Sequence, residues 1–393
     1  MKIALVHDFL REYGGAERVV ETLHEMWPEA PLYTSFVDWG NLGDQGYRFK
    51  NWDIRTSWVQ QFWFIKKFIS PLRFLAPWIW GSFDLSGYDV VISSSGWFIC
   101  RGVRMGDPST RSARSGRALH VCYIHHPPRN LYGYATGSDL QKYWIVRVYA
   151  AIVNFFLRHY DYETAQKVDY FIANSQETKR RVLKFYRRDA AVIYPPIELS
   201  NYPIIQLSNN PIKIHKKYYL SVGRLTYSKR VDIAIAACKK LGLPLMIVGT
   251  GKEEESLKKL ASQGLALRSC GIEFLGSVND EELSRLYAGA KALIFCALDE
   301  DFGMVPVEAM AHGTPVIALA QGGVVETVVD GKTGILFHEV TVESLIKALG
   351  RFRGLGGFGE MGENCIKQAE KFGKERFKKE LLAFINTQRF KAN

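Results

Sequence analysis

Two glutamates, Glu300 and Glu308, lie eight positions apart in the stretch LDEDFGMVPVEAMAHGTPVIA, residues 298–318. The stretch is typical of a strand end, a tight loop, a short helix and a second strand. Pro306 fits the first turn of that helix, because it lacks an N–H that would go unpaired there. We place Glu308 in or near this turn, where a carboxylate is electrostatically favoured. Its two oxygens suit adjacent hydroxyls such as those of a ribose, and Glu300 could reach another hydroxylated group.

The same stretch allows other interpretations. Asp299 and Asp301 form an Asp-x-Asp pair that could bind a metal, but no other ligand cluster lies near them in the sequence, so we expect no metal. Glu300 and Glu308 could also be a solvated loop acid and an ordinary helix cap. A glycosidase pair is disfavoured, because its carboxylates would flank a groove rather than share one loop–helix unit.

Two other loops could hold a phosphate. In YLSVGRLTYSKRVD, Arg224 and Lys229 flank a polar loop between a strand and a helix, and two fixed cations beside a helix N-terminus suit a diphosphate. In HDFLREYGGAERVV, Gly14 and Gly15 would let backbone amides approach a ligand at the start of the next helix. The alternatives are a solvated basic loop and a plain strand–helix corner.

A histidine pair follows a predicted strand in YIHHPPRNLYGY. We favour His125 over His126 as a functional residue, because a histidine at a strand end could hydrogen-bond a sugar hydroxyl at neutral pH. The alternative is that both rings only pack there.

Strand-like runs alternate with helical segments along all 393 residues, a length that favours two domains. Runs that are apolar throughout are typical of parallel strands covered on both faces, so we predict two doubly wound, Rossmann-like α/β domains facing a cleft. Their predicted limits are 1–205 and 206–370, and 371–393 is predicted to be an amphipathic helix that packs back towards the first domain. The predicted strands are KIALVHDF, APLYTSF, YDVVISSS, HVCYIHH, VDYFIANS, AVIYPPI, KYYLSVGR, LPLMIVGTG, IEFLGSV, KALIFCA, TPVIALA and GILFH.

Composition excludes several classes of protein. The chain is 47% hydrophobic and 23% charged, which is typical of an ordered globular protein. Its six cysteines show no Cys-x-x-Cys spacing, which favours buried thiols in a reducing cytoplasm. The short apolar run at the start is not a signal peptide, and no run is long enough to span a membrane.

The net charge of +11 is concentrated in one region. Residues 48–158 hold 15 Lys and Arg against 5 Asp and Glu. The region includes SWVQQFWFIKKFISPLRFLAPWIW, residues 57–80, and a basic stretch, RGVRMGDPSTRSARSGR, that we predict to be a mobile loop. An aromatic and cationic patch suggests nucleic acid or an anionic membrane as a partner, and the alternative is that the aromatics are core.

Taken together, the motifs resemble those of the retaining glycosyltransferases of family four, which have the GT-B fold. The Glu-x7-Glu motif in EDFGMVPVEAMAHGTPVIA and the following GGVVETVVDGKTGILF carry most of the resemblance. GRLTYSKRVD is similar to the family's donor-diphosphate loop. FLGSV is similar to the stretch near Val278 that meets the nucleobase, and YGGAERVV is similar to the family's N-terminal glycine loop. His125 resembles the family's active-site histidine, and its H-x-P-P-R context is similar to O-antigen mannosyltransferases, which suggests GDP-mannose.

The resemblance implies transfer of a sugar from a nucleoside-diphosphate donor with retained anomeric configuration. Arg224 and Lys229 would stabilise the departing diphosphate, which makes a metal or other cofactor unnecessary. The first domain would bind a glycan or lipid-linked acceptor. The protein would be cytoplasmic, and Lys66, Lys67 and Arg73 would fit a peripheral contact with the inner face of the membrane. The residues implied in donor binding are Gly15, His125, Arg224, Lys229, Val278, Glu300, Gly303, Met304, Val305 and Glu308.

Two other function classes compete with this interpretation. A sugar-nucleotide epimerase shares the fold but would lack the Glu-x7-Glu context. A non-catalytic nucleotide-sugar or nucleic-acid binding protein could use the basic patch, but it would leave the donor motifs unexplained, so we expect no nucleic acid.

Overall fold

The computed structural model describes residues 1–106, 118–135, 143–199, 218–263, 271–355 and 358–392. These residues form two compact units. The first takes in the described residues of Met1–Tyr134, Gln141–Pro196 and Lys374–Asn393, and the second takes in those of Ala135–Leu140 and Ile197–Gly373.

The first unit is built on a parallel sheet of seven strands. The sheet order is β3-β2-β1-β4-β5-β6-β7, so the chain reverses its direction of winding between β1 and β4. The strands are β1 (Ile3–His7), β2 (Leu32–Thr34), β3 (Ile54–Thr56), β4 (Val90–Ser95), β5 (Leu119–Ile124), β6 (Tyr170–Ala173) and β7 (Ala190–Val192).

The second unit has a parallel sheet of six strands with the same kind of reversal. The sheet order is β10-β9-β8-β11-β12-β13, and the reversal lies between β8 and β11. The strands are β8 (Tyr218–Val222), β9 (Leu245–Val248), β10 (Ile272–Gly276), β11 (Ala290–Phe295), β12 (Val316–Leu319) and β13 (Gly334–Phe337).

Helices connect the strands in both units. In the first unit they are α1 (Gly15–Met26), α2 (Trp39–Leu42), α3 (Trp63–Lys67), α4 (Ala76–Gly81), α5 (Arg129–Tyr132), α6 (Trp144–Lys167) and α7 (Gln176–Tyr186). In the second they are α8 (Val231–Leu241), α9 (Glu254–Ser262), α10 (Asp280–Gly289), α11 (Met304–Ala311), α12 (Val324–Thr327), α13 (Val342–Gly354) and α14 (Phe358–Glu370), and the last helix is α15 (Lys374–Ala392). Short 3-10 helices occupy Gly43–Phe49, Trp58–Gln61, Pro71–Leu75, Cys100–Gly102 and Tyr227–Lys229.

Alternating side chains of the first sheet supply two separate apolar layers. Ile3 and Leu5 of β1 pack into one cluster, and Ala4 and Val6 pack into another, because successive side chains of a strand point to opposite faces. This explains why β1 reads as apolar throughout. The helix α15 packs on the first of these layers through Phe377, Leu381 and Ile385, which are fully buried.

The fold confirms the predicted α/β class, and each predicted strand run contains a strand. The strand β3 was not predicted. It is an edge strand of three residues, of which two are partly buried and Arg55 is exposed. The five described cysteines are buried, as predicted, and Cys270 lies outside the described residues. No described helix is long and apolar enough to cross a membrane.

The interpretation of residues 101–117 as a basic mobile loop is wrong at its first residue. Arg101 is 1% exposed and forms a buried ion pair with Asp161 of α6. Tyr132 also donates to Asp161, over 2.7 Å, so this carboxylate joins α5 and α6 to the chain that follows β4. Burial alone would lower the pKa of Arg101, but the charge of Asp161 raises it above its ordinary value. Residues 107–117 lie outside the described part of the chain.

Candidate active site

The direction of winding in the second sheet reverses between β8 and β11, which makes their carboxyl ends a topological switch point. Open α/β sheets bind ligands at such points. The loop after β8 carries Arg224 and Lys229, and the loop after β11 carries Glu300. Because β8 and β11 are hydrogen-bonded neighbours, the two loops leave the same edge of the sheet side by side.

Lys229 and Glu300 meet at this edge, 71 positions apart in the sequence. The Lys229 ammonium donates to Glu300 Oε2 over 2.7 Å, and both side chains are about one-fifth exposed. Lys229 Nζ also lies 5.4 Å from the centroid of the Phe295 ring. The structure therefore holds a cation and a carboxylate together at the predicted diphosphate site, within reach of solvent.

Two glycines bring the loops after β8 and β9 into close contact. A Cβ atom on Gly249 would lie 2.0 Å from the carbonyl oxygen of Gly223, and one on Gly251 would lie 2.2 Å from that of Leu225. The Leu225 amide donates to Thr250 O over 2.9 Å in this contact. Only residues without side chains allow this approach, which sets the path of the Arg224 loop.

The loop that carries Glu300 is held by the segment after β12. The Gly323 amide donates to Glu300 O over 2.8 Å, and a Cβ on Gly322 would lie 2.0 Å from that same oxygen. The Gln321 side chain donates to Asp299 Oδ1 over 3.1 Å, and Asp299 adopts a left-handed backbone conformation, with a φ of 50°. Asp299 therefore serves the structure of this loop.

The helix α11 begins immediately after this loop. Gly303 precedes it with a φ of 89°, and Met304 and Val305 are its first two residues. The amides of the first turn have no acceptor within a helix, so they and the positive end of the helix suit an anion or a sugar oxygen. Pro306 lies in the first turn, as predicted.

Glu308 lies near the first turn of α11, as predicted. Because α11 starts at Met304, Glu308 is its fifth residue, just beyond the first turn, which itself holds no acidic residue. It is 4% exposed and accepts a hydrogen bond from Tyr287 of α10 over 3.0 Å. His312, in the segment after α11, donates from Nδ1 to Glu308 O over 2.8 Å, and its Nε2 lies 2.7 Å from Ser284 Oγ. Burial lowers the pKa of this imidazole.

Arg224 and Val278 lie in the loops that follow β8 and β10. Arg224 is exposed, and Val278 is half-buried just before Asn279, whose side chain caps α10 by accepting from the Glu282 amide over 2.8 Å. The structure places both at the carboxyl edge of the second sheet.

The first unit holds His125 in a chain of hydrogen bonds. His125 follows β5, is 9% exposed, and its Nε2 lies 2.7 Å from Ser94 Oγ at the carboxyl end of β4. Ser94 Oγ also lies 3.2 Å from Nδ1 of His7, at the carboxyl end of β1. The other nitrogen of His7 lies 3.4 Å from Glu17 Oε1. Because β1, β4 and β5 are neighbours, four buried polar side chains form a continuous chain across their ends.

The glycine loop joins the same chain. The Gly14 amide donates to Glu17 Oε2 over 2.9 Å, and α1 begins at Gly15. Glu17 therefore already places a carboxylate at the positive end of α1. Burial alone would lower the pKa of His7, but the hydrogen bond and charge of Glu17 raise it above its ordinary value. His126, the alternative to His125, is half-buried and its Nδ1 lies 3.0 Å from Pro127 O.

Sequence reasoning missed His7, Glu17 and Ser94 in the first unit, and Tyr287 in the second. The first unit offered a signal at His7, which is a polar residue at the end of an otherwise apolar strand. Tyr287 lies within an amphipathic helix and offered none.

Two family models match the chain. One, Glycosyltransferase Family 4, matches residues 13–201, and the other, Glycosyl transferases group 1, matches residues 206–372. The chain is similar over its whole length to the structure of Anabaena HepE in complex with UDP-glucose, with a TM-score of 0.69 and 18% identity, covering 98% of this chain and 100% of that one. The chain has the GT-B fold. The two parallel-sheet units are the two domains of the GT-B architecture.

Relatives in sequence are similar to parts of this GT-B chain. An uncharacterized glycosyltransferase of Methanocaldococcus jannaschii is 34% identical over 173 residues, which are 42% of this chain and 44% of the relative. The glycogen synthase of Thermus thermophilus is 36% identical over 151 residues, which are 37% of this chain and 34% of the relative. The matched part is thus less than half of each of these relatives.

Proposed function

We propose that the protein is a retaining glycosyltransferase that moves a sugar from a nucleoside-diphosphate donor to a glycan or lipid-linked acceptor. The observation that carries the proposal is the cluster at the ends of β8 and β11, where Lys229, Glu300 and the start of α11 come together. This arrangement combines a cation for phosphate, a carboxylate for hydroxyls and a helix N-terminus, which a nucleotide-sugar requires together.

The cations act on the phosphates. Transfer breaks the bond between the anomeric carbon and the diphosphate and forms a bond to an acceptor hydroxyl oxygen, whose proton leaves with the diphosphate. Negative charge develops on the leaving oxygen. Arg224 and Lys229 stabilise that charge, an electrostatic role that a metal ion performs in other transferases. The diphosphate competes with Glu300 for Lys229 when it binds, because both anions attract the same ammonium.

The remaining donor contacts follow from the chemistry of each group. Glu300 and the backbone around Gly303, Met304 and Val305 bind the hydroxyls of the transferred sugar. Glu308 binds the ribose, and the backbone near Val278 contacts the nucleobase. A carboxylate accepts from two hydroxyls at once, so these roles suit the residue types present.

His125 and Gly15 of the first unit are also proposed to bind ligand. His125 hydrogen-bonds a sugar hydroxyl, with its Nε2 side held by Ser94. The amide of Gly15 at the start of α1 binds an oxygen of the ligand.

Two donors are the leading candidates. The H-x-P-P-R context of His125 favours GDP-mannose, as in mannosyltransferases of lipopolysaccharide and other polysaccharide synthesis. The similar HepE structure contains UDP-glucose, which favours a uridine nucleotide. We also propose that the protein works in the cytoplasm, with peripheral contact to the inner membrane face.

A donor panel tests the proposal. GDP-mannose, UDP-glucose, UDP-galactose and UDP-N-acetylglucosamine are incubated with the protein, and release of nucleoside diphosphate is followed with and without a lipid extract as acceptor. We expect one nucleotide-sugar to be turned over, the product to keep the donor's anomeric configuration by NMR, and EDTA to leave the rate unchanged. No selective turnover would contradict the proposal, and an inverted product would contradict the retaining mechanism.

A further inference from the structure

The segment that includes α3 and α4 presents large apolar side chains to solvent. Ile65, Ile69 and Trp80 of the segment are buried, so the interpretation of its apolar residues as core holds for part of this region. The exposed side chains of the segment are Trp58, Phe62, Trp63, Phe64, Phe68, Phe74 and Trp78, and Trp63 is 68% exposed.

The first half of α6 presents a second set. The buried residues of this helix are Leu157, Asp161, Thr164 and Ala165, all in its second half. Six apolar residues of the first half are 52% to 66% exposed, and they recur at three- and four-residue intervals, so they lie on one face of the helix. They are Trp144, Ile145, Val148, Ile152, Phe155 and Phe156.

The two sets belong to one surface. Arg73 Nη2 donates to Asn154 Oδ1 of α6 over 3.0 Å, and its guanidinium lies 5.3 Å from the centroid of the Tyr149 ring. The Tyr149 hydroxyl donates to Pro71 O. We call the exposed side chains of residues 58–78 and 144–156 the aromatic surface. Exposed apolar patches beyond roughly a few hundred Å² are rare on soluble monomers and usually mark a binding surface.

The charges on the aromatic surface have one sign. Residues 57–83 contain Lys66, Lys67 and Arg73 and no acidic residue, and residues 143–158 contain Arg147 and Arg158 and no acidic residue. Lys67, Arg147 and Arg158 are exposed. Segments that lie in a membrane interface are typically composed of cationic residues beside tryptophan and phenylalanine.

We infer that the aromatic surface docks the protein on an anionic lipid bilayer. A second copy of the chain is the alternative occupant. In a two-fold interface, however, the aromatic surfaces of the two copies would face each other, and their cations would repel. An anionic headgroup layer complements these charges, and the boundary beneath it accepts the aromatic rings. The inference adds a docking surface to the proposed function. It rests on that function for the statement that the acceptor is lipid-linked.

Vesicle flotation tests the inference at low and physiological salt. The full-length protein is mixed with phosphatidylcholine vesicles, or with vesicles that also contain phosphatidylglycerol. We expect it to float with the anionic vesicles and to bind them at least tenfold more weakly in 0.5 M salt. Trp63→Ser combined with Phe155→Ser should weaken binding at least tenfold, and so should Lys67→Glu combined with Arg147→Glu. Phe390→Ser, at a site 86% exposed on α15, is the matched control and should bind as the parent does.

The inference is overturned if the parent does not float with anionic vesicles at low salt, or if the double variants float as the parent does. It is also overturned if the parent binds no vesicles and sediments as a dimer, while the double variant Trp63→Ser and Phe155→Ser sediments as a monomer. Nucleoside-diphosphate binding is measured on the same preparations, so the two proposals fail separately. Vesicle binding without nucleotide binding contradicts the proposed function alone. Nucleotide binding without vesicle binding contradicts the docking surface alone.

Discussion

The Ser94 hydroxyl lies between two histidine rings and holds the Nε2 atom of His125 at 2.7 Å. Because His125 is proposed to meet the sugar, loss of this hydroxyl should displace the ring without removing it. We predict that Ser94→Ala lowers kcat by about 10- to 100-fold, since small misplacements in an active site have effects of this size. Affinity for nucleoside diphosphate should be unchanged, because that site lies in the second unit.

Ser93→Ala is the matched control for Ser94→Ala. Ser93 is also buried and also pairs with a buried histidine, His120, over 2.9 Å. Each variant should lose about 1 kcal/mol from the free energy of unfolding, but only Ser94→Ala should slow turnover. Equal loss of turnover in both variants would show that Ser94 is no more than structural.

The ion pair between Lys229 and Glu300 gives a second prediction at the residue scale. If the diphosphate takes Lys229 from Glu300, then Glu300→Gln removes a competitor for the ammonium. We predict that its Kd for nucleoside diphosphate falls by about 3- to 10-fold, or roughly 0.7–1.4 kcal/mol, while sugar transfer slows. Glu281→Gln is the control, because Glu281 pairs with Arg285 on the exposed face of α10. Calorimetric titration that finds Glu300→Gln at or above the parental Kd would contradict this role for Lys229.

Sequence reasoning finds some of these residues more easily than others. Lys229 and Glu300 follow predicted strands in loops whose cations and carboxylates have an obvious ligand chemistry. Ser94 and Tyr287 have no such signal, because their role depends on which residue lies opposite them in the folded chain. The burial of Arg101 could not be predicted either, since its partner Asp161 is 60 positions away.

Among the elements, the segment after β12 sets the position of Glu300. Gly322 has a φ of 71°, and a Cβ there would lie 2.0 Å from the carbonyl oxygen of Glu300. Gly331 has a similar φ of 75°, but a Cβ there would lie 3.7 Å from its nearest neighbour, the end of the Arg351 side chain. The two glycines thus share a backbone conformation and differ in the space around them.

We predict that Gly322→Ala moves the Glu300 loop and Gly331→Ala does not. Both should lose about 1–2 kcal/mol from the left-handed conformation alone, and Gly322→Ala should lose more because backbone atoms must shift. Gly322→Ala should also weaken nucleotide-sugar binding by at least about tenfold, because the loop that carries Glu300 is misplaced. Thermal unfolding and donor titration of the two variants measure both effects. Equal donor affinity in the two variants would show that the loop tolerates the shift.

The strands were predictable because parallel strands covered on both faces are apolar throughout, as β9 and β12 are. The edge strand β3 was not, because its three residues are partly exposed and no apolar run marks it. The first turn of α11 was predictable too, because Pro306 suits a first helical turn and the helix begins directly after Gly303.

Over the whole molecule, the chain returns to its first unit at its C-terminus. Leu381 of α15 is fully buried in the core of that unit, whereas its neighbour Leu382 is 45% exposed. We predict that Leu381→Ala costs about 2–5 kcal/mol and Leu382→Ala less than about 1 kcal/mol. Hydrogen exchange should show the loss of protection in β1 and β5, with β8 and β11 unchanged. Loss of protection in β8 and β11 alone would contradict the placement of α15.

The central claim is that the loops after β8 and β11 hold the diphosphate of a nucleotide-sugar, and titration of Lys229→Ala with UDP and GDP tests it most directly. Lys240→Ala is the matched control, because this lysine belongs to the same unit and pairs with Glu343 at the exposed surface. We predict that the parent and Lys240→Ala bind one of the two nucleotides equally, and that Lys229→Ala binds it at least about tenfold more weakly, a difference of about 1.4 kcal/mol. A parent that binds neither nucleotide, or a Lys229→Ala variant that binds as the parent does, would contradict the claim.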